Sequence, residues 1–189
     1  INLRLYLSSG DSYPYESNLM YLAQNLTHSV NWHYYVYRTE LIYNDNEELI
    51  LRDYVGAWQY ENLIVVNIPP EDIYNKLLNI KIGKTQNTLA LYLDDVLIGT
   101  QNIDEIENNI FFDKYIYIRY SMEDWGFNRY LIDLNVDKND EQILNWPIVE
   151  GAGEMLYDHS GNKNHGEFDI WEEYETISWY SNPIGCNNI

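Results

Sequence analysis

Apolar and polar residues alternate from the first position. Ile1-Asn2-Leu3-Arg4-Leu5-Tyr6-Leu7 sends one set of side chains to each face, the period of a half-buried strand. Asn31 to Arg38 is aromatic and β-branched and reads as another strand. Leu49-Ile50-Leu51 and Leu63-Ile64-Val65-Val66-Asn67-Ile68 follow, the second stopped by Pro69-Pro70, because proline cannot donate to a ladder. Pro70 to Leu78 admits either a short helix or a loop with one turn. Glu71 and Asp72 suit a helix N-terminus, and Ile73, Leu77 and Leu78 fall on one face. From Ile80 onward the pattern is a β-meander. One strand ends at Ile80 and Ile82, Leu89 to Leu93 follows the Gly83-to-Asn87 turn, and Val96 to Thr100 returns after Asp94-Asp95. Tyr115 to Tyr120 and Tyr130 to Val136 are further predicted strands, and Asp137 to Leu144 reads as a short acidic helical turn. Many short strands with one doubtful helix, broken by turn signals every ~8–12 residues, argue for an all-β sandwich.

The length of 189 residues fits one domain, 1–189. A chain that is 46% hydrophobic and 15% aromatic can bury a core, which excludes wholesale disorder. It contains no apolar run long enough to insert in a membrane as a helix. Lys and Arg total 11 against 30 Asp and Glu, for a net charge of -19. That field repels nucleic-acid backbones and anionic membrane surfaces, so neither is expected as a partner. It suits a solubilising surface or affinity for divalent cations, and charge alone does not choose between them. The single cysteine, Cys186, excludes an intrachain disulfide and a cysteine zinc cluster.

Two stretches carry a family resemblance. Leu89-Ala90-Leu91-Tyr92-Leu93-Asp94-Asp95-Val96-Leu97-Ile98-Gly99-Thr100 resembles the hairpin of concanavalin A-like, laminin-G-like domains, with a "Y-x-D-G" turn and an "x-L-I-G-T" return. Asp95 stands where that family has glycine, and Asp tolerates the left-handed conformation better than most residues. The resemblance continues through Gly126 to Val136, similar to the family's closing strand, and on to Asp140-Glu141-Gln142-Ile143, similar to its "L-S-x-E-E-I" turn. The second stretch, Trp146 to Gly166, is similar to the family's opening segment, "W-x-x-x-E-G-x-G-x-x-x-x-D-x-S-G-N-x-N-H-G". The resemblance implies a two-sheet antiparallel jelly-roll sandwich of the concanavalin A-like kind. In this chain the opener follows the closer. The sandwich is therefore circularly permuted, or the chain joins the rear of one domain to the front of the next, or residues 146–189 complete a neighbour by strand exchange. Residues 1–145 look short of opening strands, so the tail is expected to complete the chain's own sandwich.

The opener motif also frames the candidate chemistry. Asp158 and Ser160 suit bonds to backbone amides in a tight connection, with His159 and His165 as turn residues. The family often carries a structural Ca²⁺, which implies Asp158, Asn162 and Asp133 as oxygen ligands, although no cofactor is required. Glu167, Asp169 and Glu172 resemble the "E-x-D-x-x-E" strand of laminarinase-like glycoside hydrolases. Alternation puts Glu167 and Asp169 on one face, and a bulge after Ile170 would return Glu172 to it. Only residues 173–189 follow, and the chain is expected not to be an enzyme. Trp58, Tyr60, Trp125 and Trp171 are candidates for stacking on sugar rings. The expected role is a non-catalytic structural or adhesion module on the exterior of a virion or cell, with protein neighbours and glycans as partners. The alternatives are a secreted glycan-binding lectin and a laminarinase-like hydrolase.

Overall fold

Strand alternation and two-residue turns build almost all of the architecture. The computed structural model describes residues 1–7, 16–23, 38–54, 60–85, 87–102, 117–119, 129–150, 152 and 155–167. A six-stranded antiparallel sheet holds β1 (Asn2–Leu7), β6 (Lys76–Lys84), β7 (Thr88–Leu93), β8 (Val96–Asn102), β10 (Arg129–Lys138) and β11 (Glu141–Trp146). Their order across the sheet is β11-β10-β1-β6-β7-β8. A five-stranded antiparallel sheet, in the order β5-β4-β3-β2-β9, holds β2 (Glu16–Ala23), β3 (Arg38–Asn44), β4 (Glu48–Tyr54), β5 (Tyr60–Asn67) and β9 (Tyr117–Arg119). A two-stranded ribbon pairs β12 (Met155–Leu156) with β13 (Gly166–Glu167).

The two sheets enclose one apolar layer. Leu3, Leu5, Leu7, Leu78, Ile80, Leu89, Leu91 and Leu134 face it from the six-stranded sheet, and Leu19, Met20, Leu41, Leu49, Leu51 and Ile64 face it from the other. Each such side chain contributes roughly 1.5–3 kcal/mol by leaving water. The fold is therefore an antiparallel β-sandwich of the jelly-roll class. At one side of the layer the edge strands β8 and β5 meet. A Cβ on Gly99 would stand 2.4 Å from Cγ2 of Ile64, so the glycine permits that approach.

The turns explain where the strands stop. Asp94 and Asp95 have φ of 49° and 64°, a type I′ turn that joins Leu93 to Val96 without glycine. Asn139 and Asp140, at 52° and 62°, make the same turn between β10 and β11. The acidic helical turn expected at Asp137 to Leu144 is thus corrected to a hairpin. Val136 pairs with Leu144, both in the core, and that burial outweighs the helix-like charge pattern. The helix admitted at Pro70 to Leu78 reduces to a 3-10 turn over Pro70–Asp72, and β6 claims Lys76 onward. Strand β2 was not foreseen, and Asn31 to Tyr37 lie outside the described residues.

The expected shortage of strands in residues 1–145 does not hold. Every strand of both sheets ends by Trp146, and the described part of the tail is the small ribbon and its loop. Closer and opener are neighbours: Trp146, the first residue of the opener, pairs with Leu134 of the closing strand.

Candidate functional site

The loop from Tyr157 to His165 is organised around one carboxylate. Oδ1 of Asp158 accepts the N–H groups of Asn145 and Ser160, each at 2.9 Å. Oδ2 accepts the Ser160 hydroxyl at 2.8 Å and the Asn164 N–H at 2.9 Å. Burial alone would raise this carboxyl, but the three backbone N–H groups and the hydroxyl outweigh it and hold it at about 2. Further bonds lash the loop to the edge strand β11. Asn162 Nδ2 donates to the Gln142 carbonyl, Asn164 Nδ2 to the Ile143 carbonyl, and the Trp146 indole to the Asn164 carbonyl. The Asp158 N–H donates to Nδ1 of His165, so that ring nitrogen is an acceptor. Gly166 fits under Trp146: a Cβ there would lie 2.6 Å from the indole.

This geometry places the calcium candidates without gathering them. Both oxygens of Asp158 are already occupied by donors, and Asn162 turns its Nδ2 to a backbone carbonyl. Asp133 sits on β10, where Oδ2 pairs with Arg4 Nη1 at 2.9 Å and Oδ1 accepts from Asn135 at 3.2 Å. Burial raises the Asp133 carboxyl, and the Arg4 guanidinium opposes that shift. Among the described residues no group of three His, Cys, Asp or Glu side chains is placed to hold a metal ion.

The other candidates divide as follows. Glu167 begins the return strand of the ribbon, paired with Met155, while Asp169 and Glu172 lie outside the described residues. Trp58, Trp125 and Trp171 also lie outside them. Tyr60 starts the edge strand β5 and is 56% exposed, with the Arg52 guanidinium 5.0 Å from its ring centroid. Arg52 in turn donates through Nε to Glu40 Oε2 at 2.8 Å. Glu40, Ile42, Ile50 and Arg52 all point away from the core layer, yet all are buried. The outer face of the five-stranded sheet is closed there.

The outer face of the six-stranded sheet is open and polar. Cross-strand register aligns Asn145 of β11, Asn135 of β10, Asn2 of β1, Lys81 of β6, Tyr92 of β7 and Leu97 of β8 in one row. The next row sets Asp133, Arg4 and Asn79 side by side. Lys81 Nζ lies 5.5 Å from the centroid of the Tyr92 ring, a cation–π contact. Gln142 Nε2 reaches Asn135 Oδ1 at 3.4 Å. Sequence reasoning missed this grid. Its only sequence trace is the polar half of the alternation in residues 1–7 and 76–84.

Fold and face together define a β-sandwich with one open amide- and aromatic-bearing sheet. No protein-family model matches the chain, and no curated protein does. A solved structure with a similar fold is the kappa-carrageenase from Pseudoalteromonas carrageenovora, in complex with an oligotetrasaccharide of kappa-carrageenan. It is 11% identical, with a TM-score of 0.42, over 77% of this chain. The match spans 55% of the length of the carrageenase chain. The expectation that the chain is not an enzyme is corrected at this point. The structural match is to a carbohydrate-cleaving enzyme, so catalysis is no longer set aside.

Proposed function

We propose that this protein is a glycan-binding sandwich of the concanavalin A-like, laminin-G-like type, working on the outside of a cell or virion among protein neighbours. The sugar lies across the outer face of the six-stranded sheet. The observation that supports this reading is the row from Asn145 through Asn135, Asn2 and Lys81 to Tyr92. Carboxamides donate and accept at once, which matches sugar hydroxyls. A tyrosine ring supplies an apolar plane for the C–H face of a pyranose and a hydroxyl for its rim. Strands hold such groups more precisely than loops do. At ~4.8 Å between strands, a row across six of them is roughly 24 Å long, enough for a short oligosaccharide.

The test is titration of the chain with a panel of soluble oligosaccharides, followed by Tyr92→Ala. Loss of the ring should weaken binding about tenfold or more while the fold stays intact, because Tyr92 is on the solvent side of its strand. Equal affinity in the variant would remove the face from the proposal. Assay of new reducing ends in the same mixtures reports whether a bound chain is also cut.

A further inference from the structure

Two side chains at the centre of the open face lack partners. Oδ1 of Asn2 and Oδ1 of Asn79 are shielded from solvent and accept no hydrogen bond. They stand on adjacent strands and on the same face, since Asn2 pairs with Lys81 and Arg4 with Asn79. A shielded acceptor without a donor is costly, and such groups are rare in native proteins unless something else completes them. What is missing here is donors. Hydroxyl groups supply donors, whereas sulfate, phosphate and carboxylate groups at neutral pH only accept. The neighbouring Arg4 is already neutralised by Asp133, and the chain as a whole carries a charge of -19. Long-range electrostatics therefore also work against a polyanion.

We infer that the ligand of this face is a neutral, hydroxyl-rich sugar unit. It donates hydroxyls to Asn2 and Asn79 beside the Tyr92 ring, and sulfated and uronate sugars are selected against. The inference rests on the glycan-binding reading and narrows it to a ligand class. Rotation about Cβ–Cγ turns each carboxamide from its shielded position toward the face, so the ligand meets oxygen and nitrogen together.

The experiment is calorimetric titration of the full chain with short neutral gluco-, galacto-, manno- and xylo-oligosaccharides, and with sulfated and uronate oligosaccharides of similar length. Asn2→Leu and Asn79→Leu accompany it, each checked by thermal melting. The expected result is binding confined to neutral sugars, with each variant weakened about tenfold, the worth of one hydrogen bond. Melting temperatures should hold or rise, because removing an unpaired polar group relieves a cost. A merely structural role for either asparagine would lower the melting temperature and leave affinity alone. Tighter binding of the sulfated or uronate sugars would overturn this inference and leave glycan binding standing. Binding of neutral sugars unaffected by both variants would overturn the role of Asn2 and Asn79. Binding of nothing in either set would overturn this inference and the glycan-binding reading together.

Discussion

Replacing Asp158 with alanine should loosen the whole segment from Tyr157 to Gly166 and destabilise the edge of the six-stranded sheet. The side chain accepts four hydrogen bonds, two of them from Asn145 and Asn164, which lie on either side of the loop it closes. A hydrogen bond to a charged group is worth about 1.5–3 kcal/mol when removal strands its donor. Four such bonds would sum to more than the site can hold, because Gly161 to His165 are exposed and water reaches the released donors. Discounting for that access gives a net loss of about 3 kcal/mol. The depressed pKa gives an independent figure. A fall from 3.8 to about 2 corresponds to about 2.5 kcal/mol before solvent screening, and about 1–2 after it. Because the folded pKa is the lower one, this contribution is complete above about pH 4 and disappears as pH falls through about 2. Asp158→Asn should do nearly as much damage, since its NH₂ would face the Ser160 hydroxyl and the Asn164 N–H, two donors. Urea denaturation with amide exchange at Asn145, Ser160 and Asn164 is the assay. Unchanged protection at those three amides and an unchanged midpoint in Asp158→Ala would refute the account of the loop as a carboxylate-centred tie.

Other expectations follow from single sites. Burial first, and the Glu61 charge after it, raise Asp53 to about 6 despite the Thr39 hydroxyl donating to it, and its Oδ2 has no partner. The stability this acid lends its protonated form is complete below about pH 4 and lost by about pH 6, so at pH 7 its charge costs about 3 kcal/mol. Asp53→Asn should therefore stabilise the protein at pH 7 by about 1–2 kcal/mol after the unpaired NH₂ is counted, and flatten the melting profile between those pH values. A lower melting temperature at pH 7 would count against it. Millimolar Ca²⁺ or EDTA should leave the melting midpoint unmoved, because the Asp158 oxygens are filled by donors; a clear upward shift with Ca²⁺ would mean a cation displaces them. Gly99→Val should cost about 1–3 kcal/mol by driving its side chain into Ile64, and an unfolding curve equal to wild type would show that β5 and β8 separate easily.

The parts of the fold readable in the sequence were those set by nearest neighbours along the chain. Asp94-Asp95 was readable because two alternating runs flank a two-residue gap, and only an I′ turn closes such a gap neatly. Asn139-Asp140 has the same chemistry but sits in an acidic stretch that also reads as a helix start, and the cross-strand burial of Val136 with Leu144 decides it. Strand β2 escaped because a bulge between Asn18 and Met20 breaks its alternation. The role of Asp158 and Ser160 in tying backbone amides was readable, since Asp-x-Ser closes on itself within three residues. The open grid was not. Asn135, Asn2 and Lys81 become neighbours only because β1 lies between β10 and β6, strands far away in the chain, and no spacing along the sequence encodes that adjacency.

The closed outer row of Glu40, Ile42, Ile50 and Arg52 has a consequence for how firmly the protein can hold a polymer. With that row shut, the described sandwich has one broad surface to offer, and each chain is univalent. Its grip on a repetitive ligand is then set by how many copies are displayed and how far apart they stand. Linked copies can exceed the single-site affinity by roughly 10²–10⁴ without any new contact. A shallow, weak face on each copy is enough if the copies are arrayed, and it lets any one of them let go and rebind.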